Sequence, residues 1–141
     1  LHWFEKELSQ ARRDPPVRWV IVCMHHPLYS STVRRLNDAA RIKVLQPLFD
    51  KYRPDLVLLG HHHNYERTYP LVGMKPVSRH SSRYQRGQGV VFVTSGGGGK
   101  SLYDQTPEQP PLYCKAREVL SVPARHGVRQ VYRGRVPPHA G

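Results

Sequence analysis

Acidic residues are scarce in this chain of 141 residues. Ten aspartates and glutamates stand against 22 lysines and arginines, which gives a formal net charge of +12 at pH 7. Such an excess can serve a polyanionic partner. The basic residues are scattered, however, and no DNA- or RNA-binding motif accompanies them, so we expect no nucleic acid partner. A basic surface with a basic tail is the plainer interpretation.

Cysteines and long apolar runs are also scarce. The two cysteines, Cys23 and Cys114, do not establish an oxidising compartment. They could pair with each other, but Cys23 lies inside an apolar strand pattern, which favours a buried thiol. No apolar run approaches the ~18–20 residues of a membrane span, so we expect no membrane partner. No signal peptide is visible, and because the chain starts with Leu1 we expect a true N-terminus to be missing.

The first 60 residues predict alternating helices and strands. Apolar residues recur at helical spacing in residues 1–13 and 34–52, and Pro47 should kink or restart the second helix. Short apolar runs predict strands at 17–24 and 56–59, the latter buried on both faces. The order strand, helix, strand predicts a right-handed parallel βαβ unit.

Further along, the pattern becomes less regular. Residues 71–77 predict a short strand, followed by a basic loop that is either a solvated loop or an attractor of anions. Residues 89–95 predict a third buried strand. The glycines at 96–99 could cradle a phosphate, but they lack the Walker spacing, so we favour a tight structural turn. Residues 104–111 form a proline-rich loop.

Histidines follow two of the predicted strands at their carboxyl ends. His25 follows the first strand, and Gly60 leads from the second into His61, His62 and His63. In an extended segment His61 and His63 would point into one space and His62 elsewhere. Parallel pairing would then place His25 beside them. Because imidazole is the commonest metal ligand, the pattern predicts a metal site, the alternative being a solvated histidine cluster.

Two motifs resemble those of a known family. Gly-His-x-His, continued by Asn-Tyr-Glu-Arg-Thr over residues 60–68, resembles the last metal motif of the calcineurin-like metallophosphoesterases. The nearest branch is that of the purple acid phosphatases and their bacterial relatives. His-x-Pro-x-Tyr from His25 resembles the preceding motif, with His26 in its variable place. The resemblance implies the C-terminal half of a four-layer α/β/β/α sandwich with a mixed sheet, spanning residues 1–118.

The resemblance also implies chemistry. Family members hydrolyse phosphate esters with two metal ions, Fe paired with Zn, Mn or Fe. Carried over by motif, His25 and His61 would bind the second metal and His63 the first, while His26 and His62 are candidate proton donors. Substrate-binding residues stay unknown, and the resemblance favours a secreted or periplasmic protein.

Three earlier motifs of the family do not occur in this sequence. They are an initial Asp, Gly-Asp-x-x-Tyr and Gly-Asn-His-Asp/Glu, which supply the bridging carboxylate and other oxygen ligands. We therefore expect an incomplete site and an inactive isolated chain. Two alternatives stay open: a non-catalytic three-histidine metal-binding module, and a basic fragment that binds polyanions.

Residues 119–141 contain no acidic residue and no sustained periodicity. We expect this basic tail to be disordered or read out of frame. The family usually has an alternating strand here. A one-base shift in the codons for residues 127–134 permits Phe-Val-Arg-Phe-Thr-Val-Asp, which restores such a strand.

Overall fold

The computed structural model describes residues 1–33, 37–79, 84–106, 111–117, 119–124 and 127–132. These residues form two helices and nine strands. The elements are α1 His2–Arg13, β1 Ile21–Met24, α2 Ala39–Tyr52, β2 Leu56–Leu59, β3 Tyr65–Thr68, β4 Leu71–Val72, β5 Lys75–Pro76, β6 Val91–Ser95, β7 Tyr113–Arg117, β8 Val119–Ala124 and β9 Gly127–Tyr132.

A five-stranded mixed sheet has the order β1-β2-β6-β3-β7. β1, β2 and β6 are parallel: Met24 pairs with Leu59, and Leu59 pairs with Thr94. β3 runs antiparallel to both β6 and β7. The parallel βαβ unit is thus confirmed, and the ends of β1 and β2 lie side by side. The mixed α/β architecture agrees with the predicted fold class.

Helix α2 begins where Asp38 caps it. The Asp38 carboxylate accepts the backbone N–H of Arg41 at 2.9 Å, which satisfies one of the donors that a helix start leaves open. Residues 34–36, where the sequence predicts the first turn, lie outside the described part of the chain. The helix continues through Pro47 to Tyr52 without a restart. None of the helices in the described ranges is long and apolar enough to cross a bilayer.

The two helices cover one face of the sheet. Phe49 of α2 packs against Phe92 of β6 with ring centroids 5.6 Å apart, and Phe4 of α1 meets Phe49 edge-on at 6.1 Å. Val57 and Leu59 point to the same side and are buried. Alternation along β1 and β2 therefore places their buried residues on this helical face.

The opposite face of the sheet is open, which corrects two expectations. Ile21 is 54% exposed and Leu58 38%, so β2 is buried on one face and not on both. Cys23 lies in β1 and is exposed, so the predicted buried thiol is wrong. Both cysteines are free. An apolar run does not reveal which face of a strand the rest of the chain covers.

Two further differences concern residues 64–77. β3 forms from Tyr65–Thr68, a polar segment in which the sequence analysis predicts no strand. The short strand predicted at 71–77 is instead a hairpin of two-residue strands, β4 and β5. Gly73 and Met74 turn the hairpin with φ values of 52° and 65°.

Part of the predicted disordered tail has regular structure. β8 and β9 form a separate two-stranded antiparallel sheet. Val119 pairs with Tyr132 at one end of this sheet, and Ala124 pairs with Gly127 at the other. The expectation of disorder does not fit these residues, since backbone pairing in a local hairpin does not require amphipathic periodicity. The boundary at residue 118 and the out-of-frame origin stay predictions, and residues 133–141 lie outside the description.

Candidate metal centre

The imidazoles of His25 and His61 meet at the carboxyl edge of the sheet. His61 Nδ1 lies 3.2 Å from His25 Nε2, and the ring centroids are 5.1 Å apart. The Gly60 N–H donates to the His25 carbonyl at 3.0 Å, which ties the two strand ends together. Parallel pairing therefore produces the convergence that the sequence predicts. The role of these residues as metal ligands stays a prediction.

The backbone turns sharply after β2. His61 has a φ of 61°, in the left-handed region that residues with a Cβ seldom adopt. The His62 N–H donates to the Gly60 carbonyl at 2.7 Å, and the Asn64 N–H to the His62 carbonyl at 2.9 Å. The extended geometry assumed for His61 to His63 is therefore wrong, and their side chains do not follow the alternation of a strand.

His26 joins the pair. Its ring centroid lies 4.8 Å from that of His25 and 4.3 Å from that of His61. One nitrogen from each of the three rings lies within 4.8 Å of the others. Partial desolvation, followed by the nearby charges of Arg41 and His25, lowers the pKa of His26 below its ordinary value of 6.5. This direction favours the neutral form of His26, which has a lone pair on one ring nitrogen.

His63 lies against a different segment. Its Nδ1 is 2.9 Å from the Ser101 carbonyl oxygen, and its ring stacks on Tyr103 with centroids 4.5 Å apart. The Tyr103 N–H donates back to the His63 carbonyl at 3.0 Å. A carbonyl oxygen can only accept, so His63 Nδ1 must carry the proton in this contact, which leaves the Nε2 lone pair of the neutral ring for a ligand.

His62 is turned inward and is 6% exposed. The glycine-rich turn packs against its backbone: a Cβ at Gly96 would lie 2.3 Å from the His62 carbonyl oxygen. The Gly96 N–H donates to the Asn64 carbonyl at 3.2 Å. Gly96 thus packs closely beside the histidines, and the tight structural turn favoured from the sequence stays a prediction. The proton-donor roles of His26 and His62 stay proposals.

A buried carboxylate joins the two histidine segments. Glu66 is 1% exposed, and one of its oxygens accepts the Ser31 N–H at 2.9 Å, the Ser31 hydroxyl at 2.8 Å and the Asn64 amide at 2.6 Å. Ser31 lies in the segment after His25, and Asn64 directly follows His63. The sequence analysis assigned no role to these three residues. The signal available was the polar run that continues the second histidine motif.

The donor set fits one metal ion better than two. His25, His26 and His61 form the one group of at least three potential metal ligands among the described residues, and it contains no carboxylate. Three imidazoles suit a single ion such as Zn²⁺. A dinuclear centre with a bridging carboxylate does not fit the residues described here.

Residues 1–65 match the family model of the calcineurin-like phosphoesterases. The chain belongs to that family. The matched range includes all five histidines from His25 to His63 and both βαβ strands. Within the phosphoesterases it resembles the purple acid phosphatase branch, as the sequence motifs indicate.

Named relatives support this placement. The chain is 40% identical to an uncharacterized protein of Mycobacterium tuberculosis over 70% of its own length and 20% of that protein. It is 33% identical to Fe(3+)-Zn(2+) purple acid phosphatase 12 of Arabidopsis thaliana, over 82% of this chain and 26% of the relative. A purple acid phosphatase from yellow lupin (Lupinus luteus) seeds superposes with a TM-score of 0.71 and 28% identity, over 85% of this phosphoesterase chain and 22% of the lupin chain. The chain thus spans about a fifth to a quarter of these relatives.

Proposed function

We propose that this chain supplies the histidine part of a metal-dependent phosphoric ester hydrolase of the acid phosphatase type. The convergence of His25 and His61 at 3.2 Å, on the carboxyl ends of neighbouring parallel strands, carries the proposal. Ligands of open α/β sheets bind at this edge. The carboxylate motifs of the family would come from sequence outside these 141 residues, and the protein would act outside the cytoplasm.

In this proposal His25 and His61 bind one metal and His63 a second. The Arabidopsis relative carries iron and zinc in its name, and imidazole suits both ions. When bound, the metals supply Lewis acidity toward the phosphate ester. The protein holds the His63 proton on Nδ1 through the Ser101 carbonyl, which keeps Nε2 directed to the ligand side. His26 and His62 are the candidate donors of a proton to the leaving group.

Binding of inorganic phosphate, the common product, tests this function in the purified chain. Calorimetric titration should show phosphate binding to the Zn²⁺-loaded chain, and its loss after chelation or in His25→Ala. Metal-free wild-type protein is the matched control, because it keeps the full positive charge of the surface. If phosphate bound equally well after chelation and in His25→Ala, the proposal would be contradicted.

A non-catalytic metal-binding module is the second candidate. The absence of a carboxylate from the three-histidine group within the described residues favours it. A basic polyanion-binding fragment is the third candidate, favoured by the net charge of +12. Salt-dependent retention on heparin that chelator does not change would identify the third. Metal-dependent binding of phosphate distinguishes the phosphoesterase from it.

A further inference from the structure

The family resemblance gives His26, like His62, no metal role, because His26 occupies the variable place of its motif. We propose that His26 joins His25 and His61 in a mononuclear site for Zn²⁺ or a similar transition metal, and that His63 is not a ligand of this ion. The inference rests on the proposed function, which uses His25 and His61, and deepens it by naming the third ligand. As a ligand, His26 gives up the candidate role of proton donor, which leaves that role to His62.

The spacing of the rings supports a shared ion. Two nitrogens bound to tetrahedral Zn²⁺ at ~2.0–2.1 Å are about 3.3 Å apart. His61 Nδ1 and His25 Nε2 are 3.2 Å apart, which matches the distance between two nitrogens bound to the same Zn²⁺ ion. The nitrogen of His26 lies within 4.8 Å of the other two, so a small side-chain rotation completes the triangle.

The fold fixes the backbone of two of the three histidines before any ion binds. His61 is held with a φ of 61° by the turn that follows β2. His25 receives the Gly60 N–H on its carbonyl, which locks it to the neighbouring strand end. His26 follows His25 directly, and Pro27 after it restricts the backbone of His26 to extended conformations. A site with this degree of preorganisation loses little conformational entropy on binding.

His63 is positioned outside this group. Its Nδ1 contacts the Ser101 carbonyl at 2.9 Å and its ring stacks on Tyr103 at 4.5 Å. Joining the ion of the other three histidines would require both contacts to break. His25 is exposed, so the fourth coordination position opens to solvent and can accept an anion such as phosphate.

Cobalt binding to the purified 141-residue chain tests the site, because tetrahedral Co²⁺ has an intense visible absorption. Titration should give one Co²⁺ per chain with a tetrahedral spectrum, displaced by Zn²⁺. His26→Ala should weaken binding at least about tenfold, since even partners that only orient a ligand are worth 10–100-fold. His26→Gln, which keeps the size and polarity of the side chain, should behave as His26→Ala does.

His2→Ala removes an exposed histidine of helix α1 and is the matched control, so it should change the affinity by less than about twofold. His63→Ala tests whether His63 contributes to this ion, and its affinity should stay close to that of wild type because His63 contacts a different segment. Thermal unfolding without metal checks that each variant is folded. If His63→Ala weakens Co²⁺ binding, the three-histidine site is refuted, while the proposed function survives provided that His25→Ala also weakens it. If neither His25→Ala nor His26→Ala weakens binding, both the inference and the proposed function fail.

Discussion

At the scale of single residues, space is tightest at Gly96. A side chain there would meet the carbonyl of a histidine-bearing turn, a backbone atom that cannot swing away as a flexible side chain can. The same Cβ would lie 3.3 Å from the Gly60 carbonyl carbon, so Gly96 packs against the backbone on both sides of His61. A larger residue at Gly96 would therefore press on the segment that carries the histidines.

Gly96→Ala should destabilise the fold by about 1–3 kcal/mol, the usual cost of forcing an extra group into a packed site. The added Cβ would lie 2.3 Å from the His62 carbonyl oxygen. Gly60→Ala is the matched control, because its Cβ would find its nearest neighbour at 3.6 Å, an ordinary contact. Urea unfolding of both variants measures the difference. Equal midpoints for the two would show that the turn can open without cost.

At the scale of elements, Glu66 connects β3 to the segment that follows β1. Three donors converge on one carboxylate oxygen inside the protein, and each such bond to a charged group contributes about 1.5–3 kcal/mol. This polar network joins the two histidine motifs in addition to the parallel pairing of β1 and β2.

Glu66→Leu should lower the free energy of unfolding by about 3–5 kcal/mol, because it leaves the buried Ser31 N–H and Asn64 amide without their acceptor. Glu66→Gln keeps an acceptor oxygen at the same distance from the backbone, so its free energy of unfolding should fall by clearly less. Denaturant unfolding followed by circular dichroism gives both values. If Glu66→Leu were as stable as wild type, the hydrogen-bond network of Glu66 would not contribute to the stability of the fold.

The cap of α2 predicts a dependence on pH. The Arg41 N–H donates to the Asp38 carboxylate, and with the Arg41 side chain it lowers the carboxyl pKa below the ordinary value of 3.8. A lowered folded-state pKa means that the contribution is present above the unfolded pKa and is lost as pH falls through the folded one.

Asp38→Ala should therefore shift the urea midpoint downward at pH 7, and this shift should shrink toward about pH 3. Asp38→Asn is the control, because asparagine caps a helix well without a charge that titrates. Its midpoint should follow wild type more closely at acidic than at neutral pH. A shift for Asp38→Ala that stays constant with pH would refute the charged cap.

The sequence predicts the parallel unit and the meeting of His25 with His61, because both follow from apolar runs and chain order. It does not predict the place of His63, since a positive φ at His61 replaces extended geometry and no local pattern reports it. β3 escapes detection because its inward residues, Glu66 and Thr68, are polar. The exposure of Cys23 depends on which face the helices cover, a property of the assembled sheet.

At the scale of the whole molecule, the histidines lie at the carboxyl edge of the sheet. The helices cover one face of that sheet, and the opposite face is exposed at Ile21 and Leu58. The described part of the chain gathers three imidazoles there and no carboxylate with them. A metal pair needs a bridging group and further oxygen ligands to hold both ions about 3.5–4 Å apart. The described residues therefore offer imidazoles at this edge without the oxygen ligands that such a metal pair needs.

Hydrolysis of p-nitrophenyl phosphate by the purified 141-residue chain should be negligible with Zn²⁺, Mn²⁺ or Fe added. The rate of His25→Ala sets the baseline, because that variant lacks a residue placed at the centre. The measurement is the release of nitrophenolate over time at several metal concentrations. Robust hydrolysis by the wild type that His25→Ala loses would show that these residues suffice for turnover.

The strand order also has a consequence for timing during synthesis. β3 follows β2 closely along the chain, yet β6 lies between them in the sheet. At about 5–20 residues per second, the ribosome delivers β6 on the order of seconds after β2. Until then β2 and β3 lack the neighbour that they share, and pairing across such a distance is slow. The edge of the sheet that carries the histidines therefore reaches its final shape only after β6, up to Ser95, has left the ribosome and inserted between β2 and β3.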